Sequence, residues 1–273
     1  MKLQNILALS ALMIFTLAFG MGTGYGYTID GKVNDWGINL YASGAEKKPY
    51  LDNHLPSGGL DIDVVTEDNA DKYTEWTRVY PLYSWYNYFD AEAMYFDNDQ
   101  TYAYIAIITG LPKQGYDPPG NTAYGNPYYK FKPGDIAIDA DNNGTYEFGI
   151  DIDTGNLINV TAWDDVYYSA GSTANPWRIK TGSDVGTASF VYSADSVNTH
   201  YVLETAILLS DLGLDDNSIH PVTIHWTMEC GNDYLNLNAD VNPVPEPATL
   251  FLLGTGLIGL STFARKRFGK KYQ

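Results

Sequence analysis

The chain has 273 residues, with 16 Lys and Arg against 33 Asp and Glu, a single Cys, 23 Tyr and 6 Trp. Ten of those cations and 32 of those anions fall within residues 27–243, so this stretch carries a net charge of about −22, which repels nucleic acid and anionic lipid headgroups and attracts divalent cations. One cysteine excludes a disulfide framework and a thiolate zinc site.

Residues 1–26, MKLQNILALSALMIFTLAFGMGTGYG, start with Lys2, continue through Leu, Ile, Ala and Phe, and end in small residues. That is the layout of a secretory signal peptide. Cleavage after Gly20 (Ala18 at −3) and after Gly26 (Gly24 at −3) both suit small-residue processing. Gly26 is favoured, because Tyr27 opens the first strand-like stretch. An uncleaved anchor helix is the other reading of the same run.

The body, residues 27–241, shows little helical periodicity and much alternation: TYAYIAII (101–108), GDIAIDA (134–140), YEFGIDI (146–152), ASFVYSA (188–194), HYVLETAIL (200–208), PVTIHWTME (221–229) and YLNLNADV (234–241). Each run is short, rich in Val, Ile, Tyr and Thr, and bounded by Gly, Asn, Asp or Pro. The pattern predicts an all-β fold, an antiparallel, jelly-roll-like β-sandwich in one domain. A short helical turn is expected at Ser210-Asp211-Leu212, capped by Ser210 or Asp211. Residues 42–62 and 111–134, the latter built of Pro, Gly, Tyr and Asn, read as long loops. Trp36 and Trp226, in strand contexts, are expected in the core.

The stretch DADNNGTYE (139–147) carries the sharpest chemistry. Asp139, Asp141 and Asn143 fall at positions 1, 3 and 5 of a calcium loop, Gly144 at 6, the Thr145 carbonyl at 7 and Glu147 at 9. Position 12 is Ile150 rather than a bidentate Glu, and the flanks read as strands, so this is not an EF-hand. It is either a β-turn tied by calcium, with Asp151 as an extra ligand, or an Asp/Asn/Gly hairpin turn without metal. Asp97-Asn98-Asp99 reads as a plain turn.

Aromatic side chains both stack on sugar rings and fill sandwich cores. Trp163 (TAWDDVYYS) and Trp177 (ANPWRI) lie beside turn signals, and Trp85 sits in YPLYSWYNYFD (80–90), which makes these three the candidate ligand-binding residues, with packing as the alternative for each. Cys230 is either a reactive thiol or a small buried residue ending a strand. Catalysis finds no motif: there is no Gly-x-Ser-x-Gly, no His-Glu-x-x-His and no phosphate loop, and His54, His200, His220 and His225 are scattered, with His225 on a strand. The expectation is a protein that is not an enzyme.

Several patterns follow one another in a suggestive order: Tyr27-Thr28-Ile29-Asp30-Gly31-Lys32-Val33-Asn34-Asp35-Trp36, then Met94-Tyr95-Phe96-Asp97-Asn98-Asp99, then GDIAIDADNNGTYEFGID, then Leu203-Glu204-Thr205-Ala206-Ile207 with SDLGL. This order resembles the family 9 carbohydrate-binding modules and their DOMON-like relatives. The resemblance implies a β-sandwich with structural calcium and a sugar-binding cleft, but no residue here matches the family's sugar-clamping tryptophans.

Residues 242–273 close the chain. Val244-Pro245-Glu246-Pro247-Ala248-Thr249 is followed by an apolar run through Ala264 and by Arg265-Lys266-Arg267. Residues 248–264, as a helix at ~1.5 Å per residue, would reach roughly 26 Å and just span a bilayer core as a transmembrane helix, with the basic cluster held on the cytoplasmic side. Proline breaks helix and strand just before it. The triplet, apolar run and basic knot together resemble the PEP-CTERM sorting signal. The resemblance implies recognition by exosortase, a transpeptidase-like membrane protease of Gram-negative bacteria that make exopolysaccharide. The expectation is an inner-membrane precursor, processed near the triplet, whose body is then held at the cell surface, in a biofilm matrix, or secreted, with extracellular polysaccharide as a candidate partner.

Overall fold

A computed structural model describes residues 26–40, 55–57, 62–66, 88–118, 120, 122–167, 173–194, 200–216, 218–242 and 255–256. The chain divides into two units. One is the body, Tyr27–Pro243. The other comprises 1–26 and 244–273 and lies almost wholly outside the described residues, so the leader and the apolar run are not placed, apart from helical Thr255 and Gly256. Among the described residues no helix is long and apolar enough to cross a membrane.

The described residues of the body form eleven strands: β1 Asp63–Thr66, β2 Ala91–Asn98, β3 Tyr102–Thr109, β4 Ile136–Asp139, β5 Phe148–Ile150, β6 Asn156–Asp164, β7 Arg178–Thr187, β8 Ser189–Ala194, β9 Tyr201–Leu208, β10 His220–Thr227 and β11 Tyr234–Val241. They form a five-stranded sheet, β1-β2-β3-β9-β8, and a six-stranded sheet, β11-β10-β4-β5-β6-β7. All the pairings are antiparallel. The all-β sandwich is therefore present. A jelly roll would pass successive strands between sheets through two Greek keys; here β4 to β7 instead form a meander within one sheet.

The main core lies between the sheets. Met94, Phe96, Ile105, Ile107, Leu203 and Ile207 of one sheet meet Ile136, Ile138, Ile224, Trp226, Leu235 and Leu237 of the other. The five-stranded sheet is apolar on its outer face too. Ala93, Tyr95, Tyr104, Ala106 and Val202 are covered there by Tyr27, Val33, Trp36, Ile38 and Leu40. That explains why β2 and β9 are buried nearly end to end rather than on alternate residues.

Residues 27–40 were expected to open as a strand. They form turns instead, because their role is to lie across that outer face. Trp36 and Trp226 are both fully buried, as expected, although Trp36 sits in a turn. The short helix α1, Leu209–Leu212, supplies the helical turn expected at 210–212. Its N-cap is Leu208 without a side-chain cap, so neither Ser210 nor Asp211 caps it. Among the described residues of 111–134 there is no strand beyond the single bridges Tyr116↔Phe131 and Pro133↔Met228. Residues 42–54 and 58–61 of the other expected loop lie outside the described residues.

Candidate functional site

The β4–β5 turn holds the candidate calcium ligands. Asp139 ends β4 and is 2% exposed, and its two oxygens accept the Asn143 N–H at 3.0 Å and the Gly144 N–H at 2.8 Å. Asp141 accepts the Asn143 N–H at 3.2 Å, and Asn143 accepts the Thr145 N–H at 2.8 Å. Gly144 has φ +92°, a left-handed conformation that favours glycine at the sixth loop position. One oxygen of Glu147 accepts the Ala140 N–H at 3.1 Å, while its Oε1 is buried without a partner. One oxygen each of Asp139, Asp141 and Glu147 lie within 4.8 Å of one another. The turn thus gathers hard oxygen donors of the kind calcium takes. Asn143 and Thr145 are exposed. A cleft of about 370 Å³ opens beside the turn, lined by Asp141, Glu147, Phe148, Leu212, His220 and Pro221.

Trp85 lies outside the described residues. Trp163, on β6, donates its indole N–H to the Tyr146 carbonyl at 3.0 Å and lies so close over Gly149 that a Cβ there would meet its ring. Trp177 is 9% exposed and packs with Val166 and Ala174. The most exposed aromatics among the described residues are tyrosines of the 111–134 loop: Tyr124 is 61% exposed and Tyr128 79%, against 37% for Tyr102 and 36% for Tyr234. Tyr124 has φ +51°, a strained conformation for a bulky residue. Its ring meets Tyr129 at 4.8 Å and Tyr167 at 4.5 Å, and both of those pack on Phe131. Beneath them Glu229, 2% exposed, accepts the Tyr129 hydroxyl and the Lys132 N–H. Burial and this carboxylate push the Tyr129 phenol well above its ordinary range. The loop's tyrosine content was the sequence signal for this patch, but tryptophan was weighed as the stacking residue.

The platform stands at one end of the sandwich. Phe131 packs on Phe89, just before β2, at 6.2 Å, and Ala91 at the start of β2 donates its N–H to Asp233 at 2.7 Å. At the far end of β2, Asp97 accepts the Tyr27 hydroxyl, and the Asn98 amide brackets Asn242, accepting its N–H and donating to its carbonyl at 2.8 Å each. Asp99 turns the chain into β3 by accepting the Thr101 and Tyr102 N–H groups, so the turn expected at Asp97-Asn98-Asp99 falls later, Asp97 and Asn98 being the end of β2, where they pair with Tyr104 and Ala103. Eight residues of strand separate the two ends by roughly 25 Å.

Two buried acids hold segments together. Glu204 on β9, fully buried, accepts the N–H groups of Asp30, Gly31 and Lys32 at 3.1, 2.6 and 3.2 Å and the Trp36 indole N–H at 3.0 Å. Gly31, at φ +78°, lets these successive N–H groups converge as an anion nest, and a Cβ there would strike Ser193. Burial pushes the Glu204 carboxyl up to about 7 against the downward pull of those donors. Asp135 accepts the Ile152 and Ile179 N–H groups at 3.1 and 2.8 Å, and burial pushes it up to about 6.

The described histidines each have separate partners. His200 pairs with Glu92 at 2.8 Å and His220 with Asp216 at 2.7 Å. His225, on β10 as expected, contacts Asn236 and the Ala174 and Pro176 carbonyls, and burial lowers its basicity. Cys230 is 3% exposed, and burial pushes its thiol up to about 12, so it is a small buried residue, not a reactive thiolate.

Val244, Pro245, Glu246, Pro247, Arg265, Lys266 and Arg267 lie outside the described residues. Their assignment comes from comparison with known proteins. Residues 243–267 match the PEP-CTERM protein-sorting motif. No curated protein matches the chain, and no solved structure does. The chain therefore carries a PEP-CTERM sorting motif, which supports an exported protein processed by exosortase.

Proposed function

We propose that the body is a non-catalytic, surface-displayed polysaccharide-binding module of a Gram-negative bacterium, delivered through its C-terminal signal and stiffened by calcium at the β4–β5 turn. The sorting motif over residues 243–267 carries the delivery half of this reading. The exposed rings of Tyr124 and Tyr128 support the binding half. Flat aromatic faces with polar rims stack on pyranose rings, and Tyr124 and Tyr128 present such rings to solvent. The buried, unpartnered Glu147 Oε1 beside Asp139 and Asp141 supports calcium, with the Asn143 side chain and Thr145 carbonyl completing an oxygen set.

The test is a glycan array with the mature protein purified from its host, with and without a calcium chelator. Retention on one sugar class, weakened about tenfold or more by Tyr124→Ala with Tyr128→Ala, is the expected result. A blank array would favour a matrix protein without a specific ligand. Release of reducing sugar would point to a hydrolase. Chelation is expected to lower the melting temperature by roughly 5 °C, as a ligand present at about 100 times its Kd would require. An unmoved transition would remove calcium from the reading.

A further inference from the structure

The body keeps hold of its chain up to Asn242. Strand β11 pairs with β10 through Val241, and the Asn98 clip then brackets Asn242 with two 2.8 Å hydrogen bonds. Glu246, centre of the Pro-Glu-Pro triplet, follows four residues later. At no more than ~3.6 Å per residue, that stretch reaches at most about 14 Å. Prolines 243, 245 and 247 restrict the backbone within it. Freeing more chain would mean peeling β11 off β10, which uncovers Leu235, Leu237, Ala239 and Val241, all buried. An enzyme that grips the triplet is therefore brought against the surface around Asn242.

That surface has the features of a contact site. Gln100, Thr101 and Tyr102 are exposed on the β2–β3 turn. Beside Tyr102 an aromatic cleft of about 510 Å³ runs between Tyr27, Tyr104, Phe190 and Val191. Asp97 and Asp99 set carboxylates beside it, where they accept the Tyr27 and Tyr104 hydroxyls. The Tyr27 hydroxyl is bonded to Asp97 here, so the segment that enters the body is held at the pole where the chain leaves it.

We propose that the sorting protease rests on this pole of the folded body, against the Asp99–Tyr102 turn and its aromatic cleft, presenting a polar or cationic face, and that the Asn98 clip sets the spacing between pole and triplet. The proposal rests on the export reading above. It is tested by placing a photo-crosslinking amino acid at Gln100, or at Tyr128 on the opposite pole, in the full-length precursor accumulated with an inactive exosortase. A protease adduct from Gln100, about tenfold stronger than from Tyr128 and abolished by a flexible spacer of ~20 residues between Asn242 and Pro243, is the expected result. Equal adducts from both positions, or none from Gln100 in a precursor that the active enzyme still cuts, would overturn it. Processing that persists without exosortase would instead overturn the export reading on which it stands.

Discussion

Glu204 is the residue on which the outer layer turns. Four N–H groups, three from one nest and one from Trp36, converge on a carboxylate with no exposed surface. Glu204→Gln turns an NH₂ toward some of these donors and is expected to destabilise the body by about 1–3 kcal/mol in chemical denaturation. The pH dependence follows from the raised carboxyls. Glu204 moves from 4.5 up to about 7 and Asp135 from 3.8 up to about 6, so across this window the unfolded chain loses its protons before the folded one does. These two carboxyls are therefore expected to withdraw on the order of 3 kcal/mol of stability as pH rises from about 5 to about 8, against a smaller gain below about 6.5 from His225, which burial keeps neutral, and Glu204→Gln should flatten the fall. Melting curves that are level over the range would contradict the assignment. Glu204 was quoted in the sequence only as part of a pattern, because a buried carboxylate among Leu and Thr is indistinguishable in sequence from a solvated one.

At the scale of elements, segment 27–40 behaves as a removable cover. Deleting it would bare Tyr95, Tyr104, Ala106 and Val202 in one patch. The truncated protein is expected to bind a hydrophobic dye strongly and to associate in sedimentation experiments. A monomer that stays dye-silent would mean that the outer face is covered from elsewhere. This cover also explains what was legible. The strands β3, β4, β5, β8, β9, β10 and β11 stood out by alternation or by β-branched runs. Strand β2 did not, since AEAMYFDN is buried on both faces. Neither did β7, whose RIKTGSDVGT is an exposed edge, polar on both faces and holding two glycines. The turn at 139–147 was readable because its loop positions dictate residue type. The tyrosine platform was not, since exposure of a ring depends on the loop conformation around Tyr124.

For the whole molecule, charge sets the terms. About −22 on one body is self-repulsion that salt screens, as the Debye length shrinks from ~10 Å at 0.1 M to ~3 Å at 1 M. Sodium chloride is expected to raise the melting temperature gradually over that range, whereas calcium should saturate at a far lower concentration. Identical dose dependence for the two salts would reduce the calcium effect to screening. The layout of the ends matters as well. Tyr124 and Tyr128 stand at one end of β2, and the Asn98–Asn242 clip stands at the other. Tension drawn between a captured polymer and a C-terminal tether would run lengthwise along the strands. The rungs of antiparallel ladders lie across such a pull and yield in shear, all together rather than one by one like a zipper. Under the proposed function, the sandwich would therefore be loaded as a tensile link along its strands, the direction in which its ladders resist together.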